Sequence, residues 1–385
     1  MPLRHKSLDK LVYTTDEADA LFGSSGGGSG SDFTFIVDSD QKLKDWADNV
    51  SGNDYSRVLI KKGTWTLNTE LTGGTFTDPL GAIDISNGRT KCIVGESESS
   101  ILVSNTITGT TCLAGIKGPV VGDYPNFSPL PKDYFIQNVS ISVFRASGSG
   151  YTTHYGFFQC GNLTSCTSFG SVDYMPYGFY KCVNLLNCTG SCTGSYNANF
   201  SVFYQCIHLF QCDGVALRGM SECSGFRTCS YLTDCTGYGG ECGNSSYGFQ
   251  DCTDLTSCIG VGGGDLVGYG FFQCGNLTSC RGTGTGSTEG TGFSLCRNLT
   301  SCRGSGSDFG FRNCWQLVSC LSTGDSFYGF SLCRGLFFCQ GDGGHAVATF
   351  KNDCFGWLDH TGSDAGQFNV DTNITAARCT GTFAP

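Results

Sequence analysis

A chain of 385 residues with 57 glycines, 25 cysteines and 23 lysines and arginines against 33 acids carries a formal charge of −10. That balance argues against nonspecific binding to nucleic acid, whose electrostatic footprint is a basic stripe; no lysine- and arginine-rich run is present. No apolar run is long enough to insert in a membrane, and residues 1–10 (MPLRHKSLDK) lack the apolar core of a secretory leader. The expected location is therefore a cytoplasm, or a particle released from one by lysis.

Residues 1–23 form a small element whose apolar content is Leu11, Val12, Ala18, Ala20, Leu21 and Phe22. So few hydrophobes cannot make a core. The segment reads as a peptide that docks on a partner, with Leu11, Val12, Leu21 and Phe22 as its anchoring side chains. Residues 24–31 (SSGGGSGS) have the composition of a flexible tether. Residues 32–150 then supply a capping helix and early rungs. A strand is expected at 33–37 (FTFIV), and Asp38 and Ser39 offer N-cap oxygens to a short helix with Leu43, Trp46, Ala47 and Val50 along one side. Such a helix could cover the open end of a solenoid, which would otherwise expose apolar cross-section and unpaired strand edges. Further short strands fall at 58–60, 82–85, 92–94, 101–103 and 135–143. Residues 112–132, with Gly115, Gly118, Gly122, Pro119, Pro125, Pro129 and Pro131, are expected to form a long irregular loop.

Residues 151–341 repeat one phrase nine times: Phe, two residues, Cys, two residues, Leu, two residues, Cys. The first copy is Phe157, Cys160, Leu163 and Cys166; two later ones are Phe249, Cys252, Leu255, Cys258 and Phe271, Cys274, Leu277, Cys280. Successive leading cysteines lie 22, 24, 23, 23, 22, 22, 18 and 19 residues apart, which is a solenoid period. An amphipathic helix would need apolar positions at mixed spacings of three and four, and connections such as 283–291 (TGTGSTEGT) are too rich in glycine to be helical. The expected fold is all-β: a single-stranded parallel β-helix of about 22-residue rungs, short strands separated by glycine turns, with each slot buried in a column. Eighteen cysteines occupy repeat slots, where a thiol acts as a small buried hydrophobe. They are expected to be reduced, although stacked thiols could also approach closely enough for disulfides. Cys-x5-Cys recurring once per rung does not match a structural zinc signature, and no metal or cofactor is expected. Residues 342–385 lose the pattern through Phe350, Cys354, Trp357 and Cys379, as suits terminal rungs and a cap.

VLIKKGTWTLN, followed by CIVGE and NVSISV, resembles the opening rungs of pectate-lyase-like right-handed parallel β-helices, and YGFFQCGNLTSC is similar to cysteine-containing rungs of phage tail-fibre and tailspike proteins. The resemblance covers residues 33–380. It implies right-handed coiling, a parallel homotrimer and a short particle-binding N-terminus. It also leaves activity open, because that group holds polysaccharide lyases, hydrolases and non-catalytic adhesive fibres. The same F-x2-C-x2-L phrase is similar to BspA-like leucine-rich repeats, but those continue with a proline-bearing apolar stretch, whereas Gly, Ser and Thr follow here.

Chemistry is sparse. The five histidines, His5, His154, His208, His345 and His360, show no ligand spacing, and no nucleophile-elbow, Walker or Rossmann phrase occurs. Cleavage of a glycosidic bond needs two carboxyl groups about 5–9 Å apart, yet Asp213, Asp234, Asp251, Asp254 and Glu241 fall at different phases of the repeat. Arg281 and Arg303 directly follow second cysteines in successive rungs and should stack, a repulsive arrangement unless Glu289, Asp308 or an anionic ligand offsets it. Candidate ligand-binding residues are thus Arg281, Arg303 and Arg312, with Tyr174, Tyr177, Tyr238 and Trp357 as aromatic faces for sugar rings. The expected function is a non-catalytic structural or adhesive fibre of a phage-type virion, docked through its N-terminus and presenting a rigid shaft to a host-surface glycan or protein. A tailspike-type polysaccharide depolymerase and a purely structural decoration protein are the alternatives.

Overall fold

The computed structural model describes residues 33–49, 56–71, 74–75, 78–87, 89–96, 99–105, 111–120, 122–123, 125–127, 130, 134–145, 152–172, 175–194, 199–219, 221–323, 328–337, 339–342 and 358–360. The anchoring peptide, the tether and most of the terminal segment expected from sequence lie outside these residues.

Three parallel sheets run the length of the rod. The first holds 13 strands, from Phe35–Val37 through Gly161–Thr164 and Gly275–Thr278 to Arg334–Phe337. The second holds 13, from Gly63–Thr69 to Leu358–His360, and the third 11, from Leu80–Asp84 to Tyr328–Ser331. Each rung contributes a strand to each sheet in turn, so the chain is an all-β parallel solenoid. With strands about 4.8 Å apart, a 13-strand sheet spans roughly 60 Å.

The spacing of three between apolar slots has a backbone cause. A plain strand returns to the same face every second residue; here one residue in each triplet takes a left-handed conformation, and the next buried side chain arrives a residue later. In the first repeat these residues are Gln159 (φ 53°), Asn162 (φ 48°) and Ser165 (φ 51°), and in a later one Gln273, Asn276 and Ser279 (φ 54–57°). Most such positions hold Asn, Asp, Gln or Ser, and Asn and Asp tolerate that region best. The four slots then stack. Phe157, Phe179, Phe203, Phe226, Phe249, Phe271, Phe293, Phe311 and Phe330 are all at most 2% exposed. Their rings lie nearly parallel, with successive centroids 4.6–5.1 Å apart. Leu163 through Leu336 align in register on the first sheet.

The glycine two residues beyond the second cysteine is a strand residue. Gly237, Gly260, Gly282 and Gly304 lie inside second-sheet strands, buried against the third sheet. A Cβ at Gly282 would stand 2.4 Å from the Gly292 carbonyl oxygen and 2.9 Å from the Phe293 ring. The phenylalanine slot thus demands the glycine opposite it.

The repeat cysteines are buried free thiols. Cys182 donates to the carbonyl oxygens of Phe157 and Tyr180, each at 3.5 Å, and Cys274 to those of Phe249 and Phe272, at 3.6 and 3.3 Å. Burial holds the thiols of Cys160, Cys252 and Cys296 well above the usual range. One pair departs from the reduced pattern. Cys223 and Cys242, both outside the repeat slots, form a disulfide between a third-sheet strand and the second-sheet strand that follows it.

The helix Asp40–Asn49 begins where expected: the Ser39 hydroxyl accepts the Lys42 amide at 3.3 Å. Leu43 and Trp46 are fully buried, and the helix packs on Phe35–Val37, Gly63–Thr69 and Leu80–Asp84, the opening strand of each sheet. Two readings of the early chain change. Residues 112–132 are not irregular throughout, because Thr111–Lys117 is a full strand of the third sheet, in register with Thr152–Phe158; among the described residues that follow, Gly122–Asp123 and Asn126–Phe127 form a short antiparallel hairpin outside the three sheets. The expected strand at 135–143 is two, Phe135–Gln137 and Ser140–Arg145, broken at Asn138 (φ 54°).

Candidate functional site

The outer surface of the last rungs carries the most distinctive set of side chains. On the first sheet, Arg297, Trp315 and Arg334 stand in register on successive strands, all exposed, with Trp315 at 40%. Arg297 lies back over Gly275: a Cβ built there would meet its Nε at 3.1 Å. Beside this column runs a second, Thr300, Val318 and Phe337, also exposed. Across the corner formed by Ser279, Ser301 and Ser319, the second sheet aligns Ile259, Arg281, Arg303 and Leu321.

Arg281 and Arg303 therefore do stack, and neither expected acid offsets them. Glu289 is ion-paired with Arg312, and Asp308 accepts the Gly290 amide at 2.8 Å; both contacts belong to the third sheet. Among the described residues no carboxylate lies within ion-pair distance of Arg281, Arg297, Arg303 or Arg334. The contrast is Arg218, which has Glu241 in register one rung on and pairs with it at 3.5 Å.

Arg312 is separate from the arginine columns. Its guanidinium lies 5.0 Å from the Phe309 ring centre and its charge is held by Glu289, so it is committed within the third sheet. Tyr177 is also unsuited to stacking on a sugar. It is buried at 5% exposure, in a cluster with Tyr155, Phe158 and Tyr180, 5.5 Å from the Tyr155 ring. Tyr238 is exposed on the second sheet, in register with Val215 and Val261 and away from Trp315. Tyr174, Trp357, Leu11, Val12, Leu21 and Phe22 lie outside the described residues. The site missed in sequence was Trp315. Aligning the nine phrases places it, alone among aromatics, in the slot after the leading cysteine, between Arg297 and Arg334.

The acids do not assemble as a pair on one column. Asp251, at a corner, and Asp254, inside the strand Thr253–Thr256, both take left-handed conformations, at φ 54° and 59°, and Asp254 accepts the Asn276 amide at 2.8 Å. That bond belongs to a polar line on the first sheet, in which Asn298 donates to Asn276 and Asn184 to Asn162, each at 2.8 Å. His208 continues the line, 3.2 Å from the Asn184 side-chain oxygen and against the Tyr231 ring. Asp251 is half-buried, and its carboxyl is raised above the ordinary aspartate range, first by burial and further by Glu222, with Arg227 opposing. Asp359 and His360 are adjacent on the strand Leu358–His360. No cluster of three metal-ligating side chains exists among the described residues, and no described helix is long and apolar enough to cross a membrane.

No protein-family model matches the sequence, and no curated protein matches it. Solved structures share its outline at low identity. The A-module of mannuronan C-5 epimerase AlgE4 of Azotobacter vinelandii is 8% identical, over 85% of this chain and 95% of that one, with a TM-score of 0.25. Tailspike protein 3 of bacteriophage CBA120 is 13% identical over 96% of this chain, which spans 65% of the tailspike's length, with a TM-score of 0.32. The surface protein and adhesin PfbA of Streptococcus pneumoniae is 8% identical, over 84% and 94%, with a TM-score of 0.30. The three parallel sheets by themselves define this chain as a parallel β-solenoid.

Proposed function

We propose that the chain is a glycan-engaging solenoid, the non-catalytic shaft of a phage-type fibre that meets a host surface through its last rungs. The observation that carries this reading is Trp315, exposed and in register between two arginines that have no acidic partner among the described residues. An aromatic face with guanidinium groups on either side offers a platform for a sugar ring and donors for its oxygens. In this reading residues 1–31 tether the shaft to the virion, three copies assemble in parallel, and the repeat cysteines serve as core filler. A glycan array probed with the full chain and with Trp315→Ala tests it. The variant is expected to fold normally and lose about tenfold in affinity, or about 1.4 kcal/mol; equal binding by both proteins would remove the support.

A second reading, depolymerisation of the bound glycan, is favoured by Asp251. A carboxyl raised by burial is suited to protonate a leaving group, and Glu222 and Arg227 influence its charge. Release of reducing ends from a capsule or lipopolysaccharide by the wild type, abolished in Asp251→Asn, would establish it.

A further inference from the structure

Arg281 and Arg303 pose a problem that the glycan platform on the first sheet does not solve. They lie on a different face, one rung apart and in register, and among the described residues neither has a carboxylate within ion-pair distance. Two like charges at this separation repel by on the order of 1 kcal/mol even in water. Elsewhere the molecule answers the same problem by placing an acid on the next rung, as Glu241 does for Arg218. Here the neighbouring rungs hold Ile259 and Leu321 instead. In a chain of net charge −10, an uncompensated cationic pair marks a place for an external anion.

We infer that Arg281 and Arg303 form a binding site for a phosphate group carried on a glycan. A carboxylate has two oxygens in one plane, which a single guanidinium fork can satisfy. A phosphate monoester presents three oxygens and up to two charges, so it can accept from both forks at once. The register sets the two side chains on adjacent strands, one rung apart. Nucleic-acid phosphate is disfavoured by the overall negative charge, which would repel a long polyanion beyond the two arginines. The site rests on the glycan reading above and narrows it to phosphorylated saccharides.

The test uses the full chain against immobilised phosphomannan, the same polymer after enzymatic removal of its phosphates, and random duplex DNA. Phosphomannan is expected to bind about tenfold more tightly than the dephosphorylated polymer, with a difference that shrinks as salt rises. The double variant Arg281→Gln/Arg303→Gln should erase that difference, and Arg218→Gln should leave it intact. Equal binding of the two polymers, or a preference that survives in the double variant, overturns the phosphate site. DNA binding lost in the same double variant overturns the assignment to glycans. If the phosphate preference is absent while neutral glycans still bind through Trp315, only this inference falls; if no glycan binds at all, the functional reading falls with it.

Discussion

At the scale of single residues, the rung is built by side chains willing to sit in a left-handed backbone every third position. Leu295 and Leu332 break the preference, at φ 56° and 53°. A branched side chain there costs about 1–2 kcal/mol. Leu295→Asn, in register with Gln273 and Asn313, is therefore expected to raise the thermal midpoint, by about 1 kcal/mol of stability in a denaturation series; a lower midpoint would contradict the strain. Asp251 gives a pH signature of opposite kind to a salt-bridged acid. Its folded carboxyl is raised, so the folded state holds that proton more tightly than the unfolded chain does. Stability from this group is present at low pH and lost as pH rises from the ordinary aspartate range through the raised value. Comparing the wild type with Asp251→Asn across pH 3–8 should show that loss in the wild type alone. The four apolar slots were legible in the sequence because each is filled nine times. The left-handed residues were not, because Gln159, Lys181, Thr228 and Leu295 share a backbone angle and no common chemistry.

At the scale of one rung, the fixed and free parts separate cleanly. From each phenylalanine to the second cysteine the spacing never changes, since each of those residues has a partner directly above and below. All variation lies between the second cysteine and the next phenylalanine, longest from Cys188 to Phe203 and shortest from Cys302 to Phe311. Inserting four Gly/Ser residues between Gly286 and Ser287 should leave the urea midpoint nearly unchanged. A single residue inserted between Cys274 and Gly275 should abolish cooperative folding by throwing Leu277 and Cys280 out of their columns. Phe249 touches a ring on either side, with centroids 4.8 Å away, and Phe249→Ala should cost about 3–5 kcal/mol. The role of the glycine after the second cysteine was not legible for a physical reason: composition shows that glycine is abundant but not that a neighbouring ring and carbonyl exclude a Cβ.

For the whole molecule, the sequence foretold the solenoid and the helix over its first rungs, while the surface emerged only once the phrases were aligned as strands. Register places Trp315 between Arg297 and Arg334, and it carries Arg312, close to them in sequence, onto another sheet. The cysteines make a direct check on the interior. Denatured, unreduced protein should expose at least the 21 free thiols of the described residues, with Cys223 and Cys242 unreactive until reduced; a much lower count would mean that the columns are bridged.

Strands crossing the long axis leave the backbone hydrogen bonds pointing along it, in three sheets at once. A tensile load on the rod is then shared three ways at every level that all three sheets reach, and none of those levels is much weaker than its neighbours. Rupture should start at an end, where a level is braced from one side only, which makes the helix seated on the opening strands a mechanical clamp as well as a cover.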